Sequence, residues 1–239
     1  MPPTFDEAWA LASDVEGWLT PAQGRLLFDA AGEVPVGQGV VEVGSHRGKS
    51  TILLAAGLRD GVTLTAIDPF DDPRWGGGPE SLAVFTENLD RAGLADRVTL
   101  FRGLSGDAAR SWDGPPVGLA WIDGAHDLAS VLIDIDGWDP RLAEGGTLLV
   151  HDAFSALGTT EAVLRRLWWS RRYRYVGCER TLVEFKKESR SLGAAASDAA
   201  RLSRRLAFFA RMVSIKLARR RGHPRLERLF MHTENEPLI

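Results

Sequence analysis

Four side chains able to hold a cation or move a proton fall at the ends of two apolar runs. Asp123 and His126 follow Leu119-Ala120-Trp121-Ile122, and His151-Asp152 closes Gly146-Thr147-Leu148-Leu149-Val150. Short apolar runs bounded by Gly and Asp read as buried strands. In open α/β sheets the carboxyl ends of the strands are where ligands bind. If these two strands are neighbours, the four groups converge. Two carboxylates with water and substrate oxygens suit Mg2+, a hard cation. An imidazole with an ordinary pKa of about 6.5 suits a general base. His151 can serve as a ligand or stand behind the carboxylates, since Mg2+ favours oxygen. Asp134 and Asp136, in the middle of the helical stretch that follows, read as surface charges.

A second constellation lies earlier, in Val41-Glu42-Val43-Gly44-Ser45-His46-Arg47-Gly48-Lys49-Ser50. A glycine turn between a strand and a helix lets backbone N–H groups approach a ligand at the helix N-terminus. A phosphate-binding G-x-x-x-x-G-K-[ST] loop fails by one residue, because position 43 is Val. The dinucleotide pattern G-x-G-x-x-G fails at His46. Glu42 precedes the glycine and Asp68 ends the next strand run. Acids at those places suit a ligand with a cationic amino-acid part and ribose hydroxyls, and repel a run of phosphates.

Alternation of strands and helices must position these groups. GVVEVG (39–44), VTLTAID (62–68), VTLFRG (98–103), VGLAWID (117–123) and GTLLVHD (146–152) read as strands, with helices over 49–58, 81–92, 105–112 and 127–143. That order implies βαβ units and a mostly parallel sheet. Helices are expected over 4–18, over 21–33 with Thr20 as N-cap, and over 159–170. YRYVGCER and TLVEFKK read as a closing hairpin. Three regions follow: N-terminal helices (1–35), a ligand-binding α/β domain (36–187) and a basic helical extension (188–239). In the last, 188–197 reads as a linker and 198–221 as an amphipathic helix with Leu202, Leu206, Phe209, Val213 and Leu217 on one face. DDPRWGGGPE (71–80) reads either as a lid with Trp75 at its tip or as an exposed turn with Trp75 packed on the body.

The ordered set Glu42-Val43-Gly44-Ser45…Gly48, Ile67-Asp68-Pro69, Gly103-Leu104-Ser105 and Trp121-Ile122-Asp123 resembles that of class I S-adenosylmethionine (SAM) methyltransferases. It covers about residues 36 to 185. The run I-D-G-x-H…W-x-P-x-L-x-x-G-G-x-x-x-x-H-D resembles the metal-assisted O-methyltransferases that include macrocin-type sugar methyltransferases. His46 departs from the pattern, where the usual loop has glycine. The resemblance implies a Rossmann-like, doubly wound, seven-stranded sheet with its last strand antiparallel. It implies SAM as cofactor, with Glu42, Gly44, Ser45 and Ser50 at the methionine end, Asp68 at the ribose, and Gly103, Leu104 and Ser105 near the adenine. It makes Asp123 and Asp152, with His151, ligands of Mg2+ or another divalent metal. Asp123 and His126 form the catalytic pair, His126 being the base. The acceptor it implies is a small hydroxylated molecule, a sugar or glycoside ahead of a catechol or other natural product. A non-enzymatic binding module on the same fold is the competing class.

Bulk numbers bound the rest. The chain has 239 residues and a net charge of −3. From residue 186 onward 13 basic and 5 acidic residues give +8; the rest, with 16 basic and 27 acidic, carries −11. An acidic body disfavours nucleic acid as a partner, since phosphate contacts need a broad basic surface. The basic tail suits a partner surface, including a second copy in a homodimer, or weak contact with an anionic membrane. Cys178 is the only cysteine, so neither an intrachain disulfide nor a Cys-rich zinc site can form. The N-terminal MPPTFDEAW lacks the basic flank and apolar run of a signal peptide, and a cytoplasmic location is expected.

Overall fold

The computed structural model describes residues 3–71 and 77–220. The proposed lid tip at Trp75 lies outside the described residues, as does the chain beyond 220. Two helices, α1 (Phe5–Ser13) and α2 (Pro21–Glu33), precede β1 (Gly39–Val43), α3 (Lys49–Gly57), β2 (Thr63–Ile67), α4 (Pro79–Ala92) and β3 (Val98–Phe101). There follow α5 (Ser105–Arg110), β4 (Val117–Ile122), α6 (Leu128–Trp138), β5 (Leu142–Val150) and α7 (Leu157–Arg166). A hairpin of β6 (Tyr173–Glu179) and β7 (Leu182–Lys187) leads to α8 (Leu192–Ser203) and α9 (Arg205–Arg220).

The seven strands form one sheet in the order β3-β2-β1-β4-β5-β7-β6. The first five run parallel, and β7, the last in sequence, runs antiparallel to both β5 and β6. Alternation along each strand splits the core in two. Val40, Leu64, Leu119, Trp121 and Leu149 pack beneath α1 to α4. Val41, Ala120, Ile122, Leu148 and Val150 face the other way, towards α5 to α8. This is a helix–sheet–helix sandwich, each face of the sheet burying its own set of side chains.

Five expectations need correction. The first helix stops at Ser13, with Asp14 as its C-cap, rather than at 18. The helix expected over 127–143 ends at Trp138, because β5 already begins at Leu142. Asp134 is buried, 5% exposed, and is no surface charge; Asp136 is exposed and paired with Arg166. Residues 188–197 do not form a linker. Ser191 N-caps α8 by accepting a hydrogen bond from the Ala194 N–H at 3.2 Å, and Ala195, Ala199 and Leu202 are buried at helical spacing. Their small side chains, which looked linker-like, let α8 pack on β6. The tail is also not one helix: α8 and α9 meet at Arg204, beside Ser203, whose hydroxyl donates back to Ala199 O.

Much of the tail's charge is directed inward. Arg201 donates to the Tyr175 and Val176 carbonyls on the edge strand β6. Arg205 donates to Arg180 O, and Lys216 to Ser155 O at 2.9 Å. Phe208 and Phe209 pack on the core, while Leu206 and Leu217 stay exposed. Among the described residues no helix is long and apolar enough to cross a membrane.

Candidate functional site

Strand order puts β1, β4 and β5 side by side at the centre of the sheet, and their carboxyl ends open on one edge. Asp123 follows β4, and its N–H donates to Val43 O on β1. His151 follows β5, and its N–H donates to Ile122 O on β4. These two bonds extend the ladder by one residue each and fix the backbone from which the side chains project.

The four groups named from sequence do converge. His126 Nε2 lies 3.3 Å from Asp152 Oδ2 and 3.8 Å from Asp123 Oδ1. His151 Nδ1 lies 2.9 Å from Asp123 Oδ1. Asp123, His126 and Asp152 each offer a ligand atom within 4.8 Å of the others. His151, which the resemblance also makes a ligand, is not part of that trio. Its Nδ1 is turned to Asp123, its Nε2 faces Gln23 and Thr181, and it is buried. Asp123 does not cap the next helix; Asp127 does, accepting from the Ser130 N–H at 3.1 Å. His126 therefore sits in the turn just before α6. The first turn of α7 holds that turn in place: a Cβ at Gly158 would run into His126 O and Leu128 N.

Asp152 adopts φ 52°, a left-handed conformation uncommon away from glycine but tolerated by Asp. Its Oδ1 accepts from Ser155 Oγ at 2.7 Å, and Ser155 O in turn accepts from Lys216 of α9.

Charge is shared across the cluster. Burial would raise the pKa of Asp123, but the charges and hydrogen bonds of His151 and His126 hold it below the usual carboxylate range. Burial works against a proton on His126; its hydrogen bond to Asp123 and the charges of Asp152 and Asp123 outweigh it and raise its pKa. Burial likewise opposes a second proton on His151, while Asp123 and Asp152 draw it on, to a pKa of about 8.

The glycine loop abuts this cluster. Gly44 has φ 86°, and a Cβ there would collide with the carbonyl oxygen of Asp123. Only glycine satisfies both demands. Gly48 (φ 91°) is the N-cap of α3, and His46 keeps a left-handed φ of 46° where the usual pattern has glycine. The ring of His46 packs 5.7 Å from that of Trp18, in the segment between α1 and α2.

The Ser45 and His46 N–H groups, the Lys49 ammonium and the Ser50 hydroxyl are all engaged within the protein. Asp68 Oδ2 accepts from the Ser45 and His46 N–H groups at 3.0 and 2.9 Å, and Oδ1 accepts from the Phe70 N–H at 2.7 Å. Lys49 turns away from the loop and donates to Ser13 O and Val15 O. Ser50 donates to Glu42 Oε1, while Ser45 and Thr51 donate to Oε2. Glu42 is wholly buried behind these hydroxyls, and burial pushes its pKa up to about 7. The Asp68 carboxyl group occupies loop N–H groups that a P-loop would offer to phosphate.

Near the end of β3, Gly103 N–H donates to Asp68 O, and Leu104 is exposed. Ser105 is buried, accepts from Trp138 Nε1 at 2.9 Å and hydrogen-bonds Asp134. Residues the sequence reading passed over are Gln23, Gly158, Thr181, Ser155 and Lys216. For Gln23 alone a local signal existed: Thr20-x-x-Gln23 is a capping box, and both halves of it form. That pattern marks a helix start and says nothing of a site.

Part of the chain is similar to known methyltransferases. Residues 41–153 match the family model described as a methyltransferase domain. Over 134 residues the chain is 32% identical to the catechol O-methyltransferase of Mycobacterium tuberculosis, a match covering 56% of each chain. The chain spans about three fifths of the length of the curated relatives it matches. Cofactor-bound Rv0187 from MTB superposes with a TM-score of 0.61 at 20% identity, over 77% of this chain and 89% of that one. The O-methyltransferase from Bacillus cereus, solved with SAH, gives 0.53 at 17% identity, over 77% and 90%. The fold is the Rossmann-like methyltransferase fold. In that fold the carboxyl edge of β1, β4 and β5, where the polar cluster stands, is the binding edge.

Proposed function

We propose that this protein is a SAM-dependent, divalent-cation-assisted O-methyltransferase acting on a small molecule with two adjacent hydroxyls. The observation that carries this reading is the contact of Gly44 with Asp123 O: the cofactor loop and the acid cluster touch. A methyl donor seated on the loop then lies beside an acceptor oxygen held by the cluster, the arrangement an in-line transfer needs. Asp68 already accepts from three backbone N–H groups, which leaves capacity for about one more donor, a ribose hydroxyl. Glu42 acts behind the loop, holding Ser45, Ser50 and Thr51 in place.

Asp123 and Asp152 fit a divalent cation, with the imidazole of His126 close enough to share the site without serving as a ligand. When bound, the cation would lower the pKa of an acceptor hydroxyl. Asp123 and Asp152 orient that hydroxyl. His126, 27% exposed and the most accessible of the four groups, accepts its proton. The oxygen forms a bond to the methyl carbon as the carbon–sulfur bond breaks, and the pair in that bond leaves on sulfur as the neutral sulfide. His151 and Trp121, both buried, pack with their rings 5.5 Å apart behind the cluster.

A sugar or glycoside acceptor follows from the resemblance of the I-D-G-x-H…H-D run. The identity to a catechol O-methyltransferase favours a catechol as second reading. Both present two oxygens to one cation. Calorimetry should show SAM binding with or without Mg2+, and a mass-spectrometric screen over diol-bearing sugars and catechols should find turnover that excess EDTA stops. Asp123→Asn and Asp152→Asn should abolish that turnover and keep SAM binding. His126→Ala should lower kcat roughly 10²- to 10⁴-fold with cation binding kept, the usual size of a general-base contribution. Loss of cation binding in that variant would make His126 a ligand instead. Full turnover in EDTA would remove the cation from the reaction.

A further inference from the structure

Among its 16 residues α9 has five basic side chains and no acidic one, and it is apolar on two sides. On one side Met212 and Ile215 are buried, and Phe208 and Phe209 pack on the core. On the other, Leu206, Ala210, Val213 and Leu217 recur at spacings of four, three and four residues. Leu206 and Leu217 are 40% and 45% exposed, and Ala207 and Ala210 are exposed between them. At about 100° per residue, Arg211 falls on one border of this outer row and Lys216 on the other. The inner side explains why the helix lies on the protein. It gives no reason for the outer row to be apolar.

Two tryptophans adjoin the start of the helix. Trp168 Nε1 donates to Ala199 O at 3.0 Å and to Ser203 Oγ at 2.9 Å, three residues before Leu206. Trp169 is 54% exposed, and its ring stands edge-on to that of Trp168 at 6.4 Å. An indole has an apolar body and a single N–H, which suits the level where lipid headgroups meet the tails.

We propose that the outer face of α9, with the Trp168–Trp169 pair beside it, docks this protein on an anionic lipid bilayer. Charge selects this occupant. A second copy seated through its own α9 would oppose two basic rows with no acid between them. A nucleic acid would answer the charge and leave the apolar row in water. An anionic bilayer answers both: the row enters the acyl boundary and the bordering cations stay with the phosphates. The −11 of residues 1–185 repels the same surface, which confines contact to the basic extension. Lys216 of this helix also donates to Ser155 O, three residues from Asp152, so a docked molecule holds its acid cluster near the lipid. That placement serves an acceptor with an apolar tail in the bilayer and hydroxyls at the headgroups, a step that rests on the function proposed above.

Sedimentation of the full chain with vesicles tests the docking without reference to catalysis. The chain should pellet with equal parts phosphatidylcholine and phosphatidylglycerol, and far less with phosphatidylcholine alone. Salt should weaken the binding, since surface charges are screened. Leu206→Ser combined with Leu217→Ser removes apolar area at two exposed positions and changes no charge; binding should fall about tenfold or more. Arg204→Gln, at an exposed position before the helix, should lower it about fivefold, the factor for one cation at an anionic surface. Absence of pelleting, or equal pelleting with both vesicles, would overturn the proposal. So would a double-serine variant that binds as the wild type does, or a dimer in light scattering that this variant dissolves while neither protein binds vesicles. If the variant does not fold, the comparison of the two vesicles with the wild type still decides. A vesicle-borne alkyl catechol should be methylated faster than free catechol. Equal rates would remove the acceptor step alone, and docking with no methyl transfer to any diol would sink the proposed function and leave the docking standing.

Discussion

Burial of one carboxyl group in α6 predicts a pH effect on stability. Asp134 is 5% exposed, and burial pushes its pKa up to about 6 against the hydrogen bond from Ser105. In the unfolded chain the value is about 3.9. A folded pKa above the unfolded one means that the folded state binds the proton more tightly. The resulting stability is fully present below pH ~4 and is lost as pH rises through about 6. Asp134→Asn should therefore gain on the wild type as pH rises, by on the order of 2–3 kcal/mol at pH 8, with little difference at pH 4. Urea titrations of both proteins at pH 4 and pH 8 would measure it. A pH-independent gap between the two would mean that Asp134 is not titrating in this range. Its burial was legible in retrospect: Val131, Asp134, Ile135 and Trp138 recur at helical spacing, and all are buried. Reading charge type ahead of position placed it on the surface. Asp123, His126 and Asp152 were legible because a polar group at the end of a buried run has few structural reasons to be there. The part His151 plays was not, because it depends on Gln23 and Thr181, which only the fold brings near.

At the scale of elements, the site depends on two close approaches that glycine permits. One is Gly44 against Asp123; the other is Gly158, in the first turn of α7, against the backbone of 126–128. An alanine at 158 must push α7 or the His126 turn outward. A displacement of about 1 Å can cost about 100-fold in rate. Gly158→Ala should thus lower kcat by roughly that factor with SAM affinity unchanged, since the loop after β1 lies on the other side of Asp123. Calorimetry and steady-state kinetics separate the two; equal losses in both would mean that the change spreads through the sheet edge. The five parallel strands and the hairpin were legible because each strand is short, apolar and bounded by Gly, Asp or Pro. The pairing of β4 with β5 was expected of a doubly wound sheet; the full strand order came only with the structure. The tail was less so, because SRSLGAAASD looks like a linker until β6 offers it a surface: Ala195 and Ala199 are small because α8 lies against the sheet edge.

The whole molecule divides its charge, +8 from residue 186 onward and −11 before it, and the structure shows what part of that asymmetry does. Arg201 and Arg205 satisfy carbonyls of β6 and of the turn after it, where an uncovered edge strand would invite pairing with another chain. Lys216 reaches Ser155 O, in the turn that holds Asp152 in its left-handed conformation. The extension is thus a brace between the sheet edge and the acid cluster. Deleting residues 190–239 should keep SAM affinity, because Gly44, Ser45 and Asp68 directly follow β1 and β2, away from this edge. It should lower Tm by more than about 5 °C through loss of the buried α8 face. Cation affinity should fall as well. Lys216→Ala isolates the second effect: it removes one bond to Ser155 O and uncovers no helix face, so Tm should move by about 1–2 °C while cation affinity falls several-fold. Scanning calorimetry and a Mn2+ titration on the three proteins would test this. A folded truncation that binds Mn2+ as tightly as the full chain would show that the Asp152 turn holds its shape unaided, and the tail would then serve the sheet edge alone.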